Sequence, residues 1–419
     1  MPRLRFVHAA DLHLDSPFHG LRSVNPDIGQ ILQQATFQAY TNIIELCMDE
    51  QVDALLVAGD IYDGADRSLQ AQLRFYQGLG KLNDAGIASF ICHGNHDPLN
   101  SWLAQLKRPP LSRQFRETVE AVPLDPGAPE RAIIYGFSYP RRDVTSNIAK
   151  SFRHDRERGF AIGLLHANVG GDTDHANYAP CTLEDLAATD IDYWALGHIH
   201  KHRVFQDQEP IVVYPGNPQG RHPNETGERG VYFVEVDDNG HVTLQFRSVD
   251  VVRWEAVTMD ISDMDRDQDL VDLLPQRLED AVAAAERSVI CRVRLVGRGP
   301  LHRTLQRDGY LESLRIALNG TGEQRLPFFW CERVVDATMA PLDREVRRQA
   351  GDFLGTVLRS IDSLGDDPNE LTDIRKTIDD LFRSTRFRKY LPDGYNDTDL
   401  INLLRDAEEH IVTALVDEP

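Results

Sequence analysis

The sequence predicts an α/β chain: a core built on a layered β-sheet and flanked by helices, then a small α+β appendage, then a helical C-terminal segment. Three observations predict it. Most of the first 250 residues alternate short apolar, strand-like runs with helical stretches. The composition shifts around Val251, and from Pro341 the pattern is helical and strongly charged. At 419 residues the chain exceeds one compact core, since about 150 residues make a domain. The expected divisions are 1–250, 251–340 and 341–419.

The elements follow in order. Residues 4–9, 54–57, 88–92, 132–136, 161–165 and 193–196 are short apolar runs, each followed by a polar cluster, which is how buried strands read. Between the first two, residues 28–50 carry Ile31, Leu32, Ala35, Ile43, Ile44 and Cys47 at helical spacing, and residues 68–85 do the same. Residues 212–214, then 231–236 and 242–246 around Asp238-Asn239-Gly240, predict hairpin strands that close the core. In the appendage, residues 268–287 predict an amphipathic helix kinked or restarted at Pro275, and residues 289–296 alternate as a half-buried strand. Beyond 341 come short helices, stopped at residues 364–368 and 391–394.

Composition excludes several classes. With 45 Lys+Arg against 66 Asp+Glu the formal charge is −21, which argues against nucleic-acid binding by bulk charge. Five scattered cysteines without a C-x-x-C pair make neither a disulfide framework nor a zinc knuckle. The first residues lack a signal peptide's apolar stretch, and no later run reaches the roughly 18 apolar residues of a membrane span. A cytoplasmic protein with no membrane association is the expectation.

The chemistry sits where Asp, His and Asn fall. Asp11-Leu12-His13 follows the first predicted strand, Gly59-Asp60-Ile61-Tyr62-Asp63 the second and Gly94-Asn95-His96-Asp97 the third. His166 ends another strand, and Gly197-His198-Ile199-His200 follows the last. In a layered α/β sheet, loops at the carboxyl ends of strands converge on the ligand crevice. Carboxylate, amide oxygen and imidazole without thiolate suit divalent ions such as Mn²⁺. Two such ions about 3.5 to 4 Å apart need a bridging carboxylate, and together they activate a water and clamp a phosphate. Asp60, in the middle of its loop beside Gly59, is the expected bridge.

In this order the motifs D-x-H, G-D-x-x-D, G-N-H-D, H and G-H-x-H resemble those of the calcineurin-like metallophosphoesterases, over about residues 4–235. Within that family the chain is similar to the bacterial DNA repair exonuclease branch, the SbcD and YhaO-like proteins. The run Ala10-Asp11-Leu12-His13-Leu14-Asp15-Ser16-Pro17-Phe18 carries this, with Tyr193-Trp194-Ala195-Leu196-Gly197-His198-Ile199-His200 and Tyr214-Pro215-Gly216-Asn217-Pro218-Gln219-Gly220-Arg221-His222, continuing to Glu225-Thr226-Gly227. The resemblance implies a layered β-sandwich nuclease core at 1–250, a capping domain at 251–340 and a partner-docking segment at 341–419. It implies one metal on Asp11, His13, Asp60 and His200, and a second on Asp60, Asn95, His166 and His198. His96 then stands beside the scissile phosphate as the catalytic histidine, and Asp97 orients it through its other ring nitrogen. Asp63 has no ligand role, only a turn or supporting contact. The implied activity is that of a Mn²⁺-dependent DNA phosphodiesterase, a 3′-to-5′ exonuclease with endonuclease action on single strands. The implied partners are DNA, an SMC-like coiled-coil ATPase of the SbcC or YhaN kind, and a second copy of the chain.

Other residues read more plainly. His8, His19, His93, His175 and His202 are expected to be solvated or hydrogen-bonded, while Arg221 and His222 are candidates to hold a phosphate. Arg141-Arg142, the Arg153, Arg156, Arg158 run and Arg292, Arg294, Arg298 are candidate backbone contacts or simply solvated charges. Phe353, Leu354, Val357, Leu358, Ile361, Leu400, Ile401, Leu404, Ile411 and Leu415 recur at helical spacing, for self-packing or docking. Two alternatives stay open: a phosphatase or small-molecule phosphodiesterase, and a non-catalytic scaffold that binds DNA ends. The charge predicts weak DNA affinity of the chain alone, strengthened by a partner.

Overall fold

The structure, a computed structural model, describes residues 4–16, 26–63, 68–102, 104–155, 159–171, 178–206, 210–322, 325–342, 344–382 and 397–416. Two compact units form, one of Met1–Val257, Leu273–Val293 and Glu312–Val334, the other of Thr258–Asp272, Arg294–Leu311 and Val335–Pro419.

The first unit holds two six-stranded sheets. In one, strands β1 (Leu4–Ala9), β2 (Ala54–Ala58), β3 (Ala88–Cys92), β4 (Ser112–Gln114), β11 (Gly230–Val236) and β12 (Val242–Ser248) run in the order β12-β11-β1-β2-β3-β4. In the other, β5 (Glu120–Pro123), β6 (Ala132–Gly136), β7 (Phe160–His166), β8 (Tyr193–Gly197), β9 (Arg203–Gln206) and β10 (Ile211–Tyr214) run β5-β6-β7-β8-β10-β9. The strands bury both faces, so they read as continuous apolar runs while alternate residues enter different layers. Leu4, Phe6, Leu56 and Phe90 meet Ile134, Ile162, Leu164 and Ala195 between the sheets. Val7, Leu55, Val57 and Ile91 face outward and pack on Phe37, Tyr40, Ile43, Ile44, Phe75 and Leu79 of helices α1 (Pro26–Asp49) and α2 (Leu69–Asp84). On the outer face of the second sheet, Leu165, Trp194 and Tyr214 pack with Phe152 and with Leu186 of the short helix α3 (Leu183–Ala187). This is the layered sandwich flanked by helices that the sequence predicts. Burying side chains of this size stabilises the fold by about 1.5–3 kcal/mol each.

Within the first sheet β1, β2 and β3 are parallel, and within the second β7 and β8 are parallel. Their carboxyl ends therefore release Asp11, Asp60, Asn95, His166 and His198. A third sheet orders β13 (Val252–Asp260), β14 (Ser288–Arg298) and β15 (Phe329–Met339), with helices α4 (Asp267–Ala285), α5 (His302–Leu305) and α6 (Tyr310–Gly322) between them; the division between the two units passes through all three strands. Helix α4 continues through Pro275, where a kink or restart is expected from sequence. A proline removes one helical hydrogen bond, which the turns on either side outweigh here.

In the second unit the tail forms α7 (Arg344–Gln349), α8 (Phe353–Asp366), α9 (Pro368–Phe382) and α10 (Asp397–Val416). The stop at 364–368 falls between α8 and α9, with Asp367 as the cap and Pro368 opening the next helix. Leu354, Leu358 and Val412 pack together with Leu342, while Phe353 and Leu403 are exposed. The stop at 391–394, His19, His175, Arg156 and Arg158 lie outside the described residues.

Candidate metal centre

The site is built where the strands end. Asp11, His13, Asp60 and His198 all have positive φ (51°, 42°, 51° and 107°), a backbone region that non-glycine residues occupy at a cost of order 1–3 kcal/mol each. The surrounding ladder holds them there. Asp11 N donates to Gly59 O at 3.0 Å, His13 N to Asp60 O at 3.0 Å, and Leu14 N to Ile61 O at 2.8 Å. The β1 and β2 loops thus continue the register of their strands while turning their side chains to one place.

Three glycines make room for one imidazole. A Cβ on Gly59, Gly94 or Gly197 would stand 2.5, 2.8 or 2.9 Å from the ring of His166, and on Gly94 it would also strike the Asp60 carboxylate. Each glycine immediately precedes a candidate ligand in its motif. The G-D, G-N-H and G-H pairings therefore have a steric cause.

Donor atoms converge within 4.8 Å in three groups: Asp11, His13 and His200; Asp11, Asp60 and His166; and His13, Asp63 and His96. Asp11, His13, Asp60 and His166 are buried. Asn95 joins the second group, its Oδ1 2.9 Å from His166 Nε2, with Asp60 Oδ2 3.4 Å from the same nitrogen. His13 Nε2 lies 3.2 Å from His200 Nε2. The tautomers are fixed from behind, because His166 Nδ1 donates to Ala58 O at 3.0 Å and His200 Nδ1 to Glu225 Oε1 at 2.7 Å. Neutral imidazoles held this way point lone pairs at one another and at carboxylates. A cation or a proton between them is what such an arrangement needs, and the donor set fits a divalent ion.

The electrostatics agree. Burial works against a charged imidazole, yet the Asp60 and Asp11 carboxylates push His166 up to about 9. Burial pushes the Asp11 carboxyl up, against the pull of His166 and His200. The Asp60 carboxyl is likewise penalised by burial but is held below the usual range by His166, His13 and His96. Burial and the Arg221 charge hold His13 down at about 3, in the neutral form a metal ligand requires.

The remaining predicted residues fall as follows. The His198 backbone N–H donates to both oxygens of Asp11 (3.2 and 3.1 Å), and its ring stands beside that of His166, 5.2 Å between centroids, outside the three groups. The sequence expectation that Asp97 orients His96 through its other ring nitrogen does not match the contacts seen. The Asp97 carboxylate turns inward to accept the N–H groups of Gly94, Asp60 and Ile61 and the Nδ1 proton of His93 at 2.9 Å. Asp63 takes that place instead, with Oδ1 2.8 Å from His96 Nδ1. Arg221 donates to Asp63 Oδ2 and to Ser16 Oγ, each at 2.9 Å, so it is tied to this network, and His222 is exposed. His8 is buried between Tyr193 Oη and Leu196 O. Asp63, expected to make only a turn or supporting contact, supports His96, while Glu225 is the supporting residue whose role sequence reasoning missed, its one signal being an acidic residue four after Arg221.

Comparison with known proteins bears on this geometry. Residues 4–202 match the model for calcineurin-like phosphoesterase, and residues 254–339 that for the middle domain of metallophosphoesterase YhaO. The metallophosphoesterase YhaO of Bacillus subtilis is 36% identical over 340 residues, covering 80% of this chain and 82% of that protein. A component of the nuclease SbcCD of Bacillus subtilis is 26% identical over 60% of this chain and 72% of its own length. The DNA double-strand break repair protein Mre11 of Sulfurisphaera tokodaii is 26% identical over 63% of this chain and 67% of its own length. Among the described residues no helix is long and apolar enough to cross a membrane.

Proposed function

The chain belongs to the calcineurin-like metallophosphoesterase family, and from that premise we propose that it is a dinuclear-metal DNA phosphodiesterase working in repair. It is a hydrolase of phosphodiester bonds; the finer reading is a Mn²⁺-dependent 3′-to-5′ exonuclease that also cuts single strands. The observation that carries this reading is the convergence of Asp11, His13, Asp60, Asn95, His166 and His200, with the two outer histidine nitrogens tied back to Ala58 O and Glu225. The nuclease relatives support DNA as the substrate.

When bound, two divalent cations would neutralise the phosphate and acidify a water toward neutrality. Asp11, His13, Asp60 and His200 would hold one, and Asp60, Asn95, His166 and His198 the other; Asp11 is within reach of both. The chain's own groups do the rest. With Nδ1 engaged by Asp63, His96 has Nε2 left for the substrate, where it donates to the charge that develops on the phosphate and passes a proton to the leaving 3′-oxygen. The Asp63 hydrogen bond raises the His96 pKa, which keeps that proton available. Asp97 holds the backbone turn under Asp60 and Gly94 rather than touching the reacting atoms.

We extend the reading to the rest of the chain. Residues 251–340 form a capping domain, supported by the middle-domain match at 254–339. Residues 341–419 dock on an SMC-like coiled-coil ATPase, and the nuclease core pairs with a second copy. The testing experiment is turnover with Mn²⁺ on 3′-recessed duplex DNA, single-stranded DNA and bis-p-nitrophenyl phosphate. Hydrolysis of all three is expected; hydrolysis of the last alone would replace this reading with a small-molecule phosphodiesterase.

A further inference from the structure

The loop that leaves the metal centre after Asp97 carries an exposed aromatic and is stitched to Tyr139 and Pro140, just before an exposed arginine pair. Pro98 and Ser101 close a turn, with Ser101 N donating to Pro98 O at 3.0 Å. The next residue, Trp102, is 57% exposed, whereas the chain's other three tryptophans, Trp194, Trp254 and Trp330, are buried. On the opposite side of the loop, Leu99 N donates to Tyr139 O at 2.8 Å and Asn100 N to Pro140 O at 3.3 Å. Tyr139 stands edge-on to His166, 5.7 Å between ring centroids, and its hydroxyl donates to His166 O at 2.7 Å. The chain then turns out through Pro140 to Arg141 and Arg142, both exposed, beside exposed Asp143.

Two backbone hydrogen bonds therefore hold the segments that lead to Trp102 and to Arg141-Arg142 side by side as one rim. That rim is tied to a metal-centre histidine through a single tyrosine. Trp102 is three residues from Leu99, so its Cα lies within about 11 Å of the stitched point. An indole left 57% exposed contributes less to the core than a buried one, since burial is where tryptophan stabilises a fold. Every nucleobase offers a flat face to such a ring, and guanidinium suits the phosphates between bases.

We propose that Trp102 is a stacking platform for an unpaired base of the DNA substrate, with Arg141 and Arg142 contacting the adjoining phosphates. This rests on the DNA reading above and sharpens it: the substrate presents single-stranded nucleotides at this rim. In a duplex the base faces are covered by their neighbours, so the platform selects frayed ends and single strands. The two positive charges at Arg141-Arg142, set against one at Asp143, also offer a landing place on a chain whose overall charge is −21.

Stopped-flow tryptophan fluorescence tests this with the Mn²⁺-loaded full chain and a short oligothymidylate, read before hydrolysis accumulates and paired with anisotropy of a labelled oligonucleotide. Quenching should accompany binding and vanish in Trp102→Phe, which keeps most of the affinity. Trp102→Ala should weaken binding about tenfold. In the Arg141→Ala/Arg142→Ala double variant, the slope of log affinity against log salt should flatten by about 1.4. Binding without quenching, or wild-type affinity in Trp102→Ala, overturns the platform and leaves the DNA reading standing. An absence of both binding and hydrolysis of any oligonucleotide, with bis-p-nitrophenyl phosphate still cleaved, overturns the DNA reading and this inference with it.

Discussion

Asp63 Oδ1 stands 2.8 Å from His96 Nδ1, and the other oxygen of that carboxylate is held by Ser16 Oγ and Arg221 Nη1, both at 2.9 Å. Burial opposes its charge, but the nearby His13 and His96 imidazoles and the Arg221 guanidinium keep Asp63 well below the ordinary carboxylate range. An anion fixed on one ring nitrogen orients the imidazole and favours its protonated form. His96 accordingly has its pKa raised.

Asp63→Asn should therefore lower kcat by about a hundredfold, within the span that a positioned acid contributes. The sign of the pH effect follows from the shift. Asp63 holds the proton on His96 to higher pH, so its loss should move the alkaline limb of the rate profile toward lower pH. Adding Asp63→Asn to His96→Ala should cost nothing further, because the two act as a unit. Additive losses in that double-mutant cycle would break the assignment.

Much of the site is legible in the sequence because its ligands follow apolar strands that can be read by eye. Residues 54–57 and 89–92 are buried, and Asp60 and Asn95 each come three residues after them. Partner choice is harder to read. Asp97 and Asp63 both sit near His96, and which carboxylate faces it depends on how the backbone after β2 and β3 turns. Three N–H groups capture Asp97, an event that no spacing rule foretells. Glu225 reaches His200 from 25 residues away through the loop before β11, so its role emerges only from the fold. The tail shows the same limit: helical spacing marks Leu354, Leu358 and Phe353 alike, but packing buries the first two and exposes the third.

Removing the carboxylate behind His200 should weaken one ion more than the other. Glu225→Ala should raise the Mn²⁺ dissociation constant by about 10- to 100-fold at the site containing His13 and His200. Calorimetric titration should then resolve one tight and one weak ion. Two unchanged affinities would show that Glu225 does not position His200.

Gly94→Ala tests the steric origin of the motif. The added methyl would stand 2.8 Å from the His166 ring and press on Asp60, so metal binding and turnover should both fall at least about tenfold. Circular dichroism should still report a folded chain. Normal metal affinity would mean that the pocket has slack that the structure does not show.

Docking by the tail is tested on its exposed apolar surface. Phe353 is 70% exposed at the start of α8, so Phe353→Glu should leave the fold intact while abolishing co-purification with an SMC-like ATPase. An undiminished complex would move the docking surface elsewhere.

We propose that Asp11, Asp60 and their histidines hold a pair of ions. Anomalous scattering from Mn²⁺-loaded crystals measures it most directly. The expected result is two peaks about 3.5 to 4 Å apart, with Asp60 between them, retained in His96→Ala and lost in Asp60→Ala. A single peak, or a normal pair in Asp60→Ala, would rule out a paired-ion site bridged by Asp60.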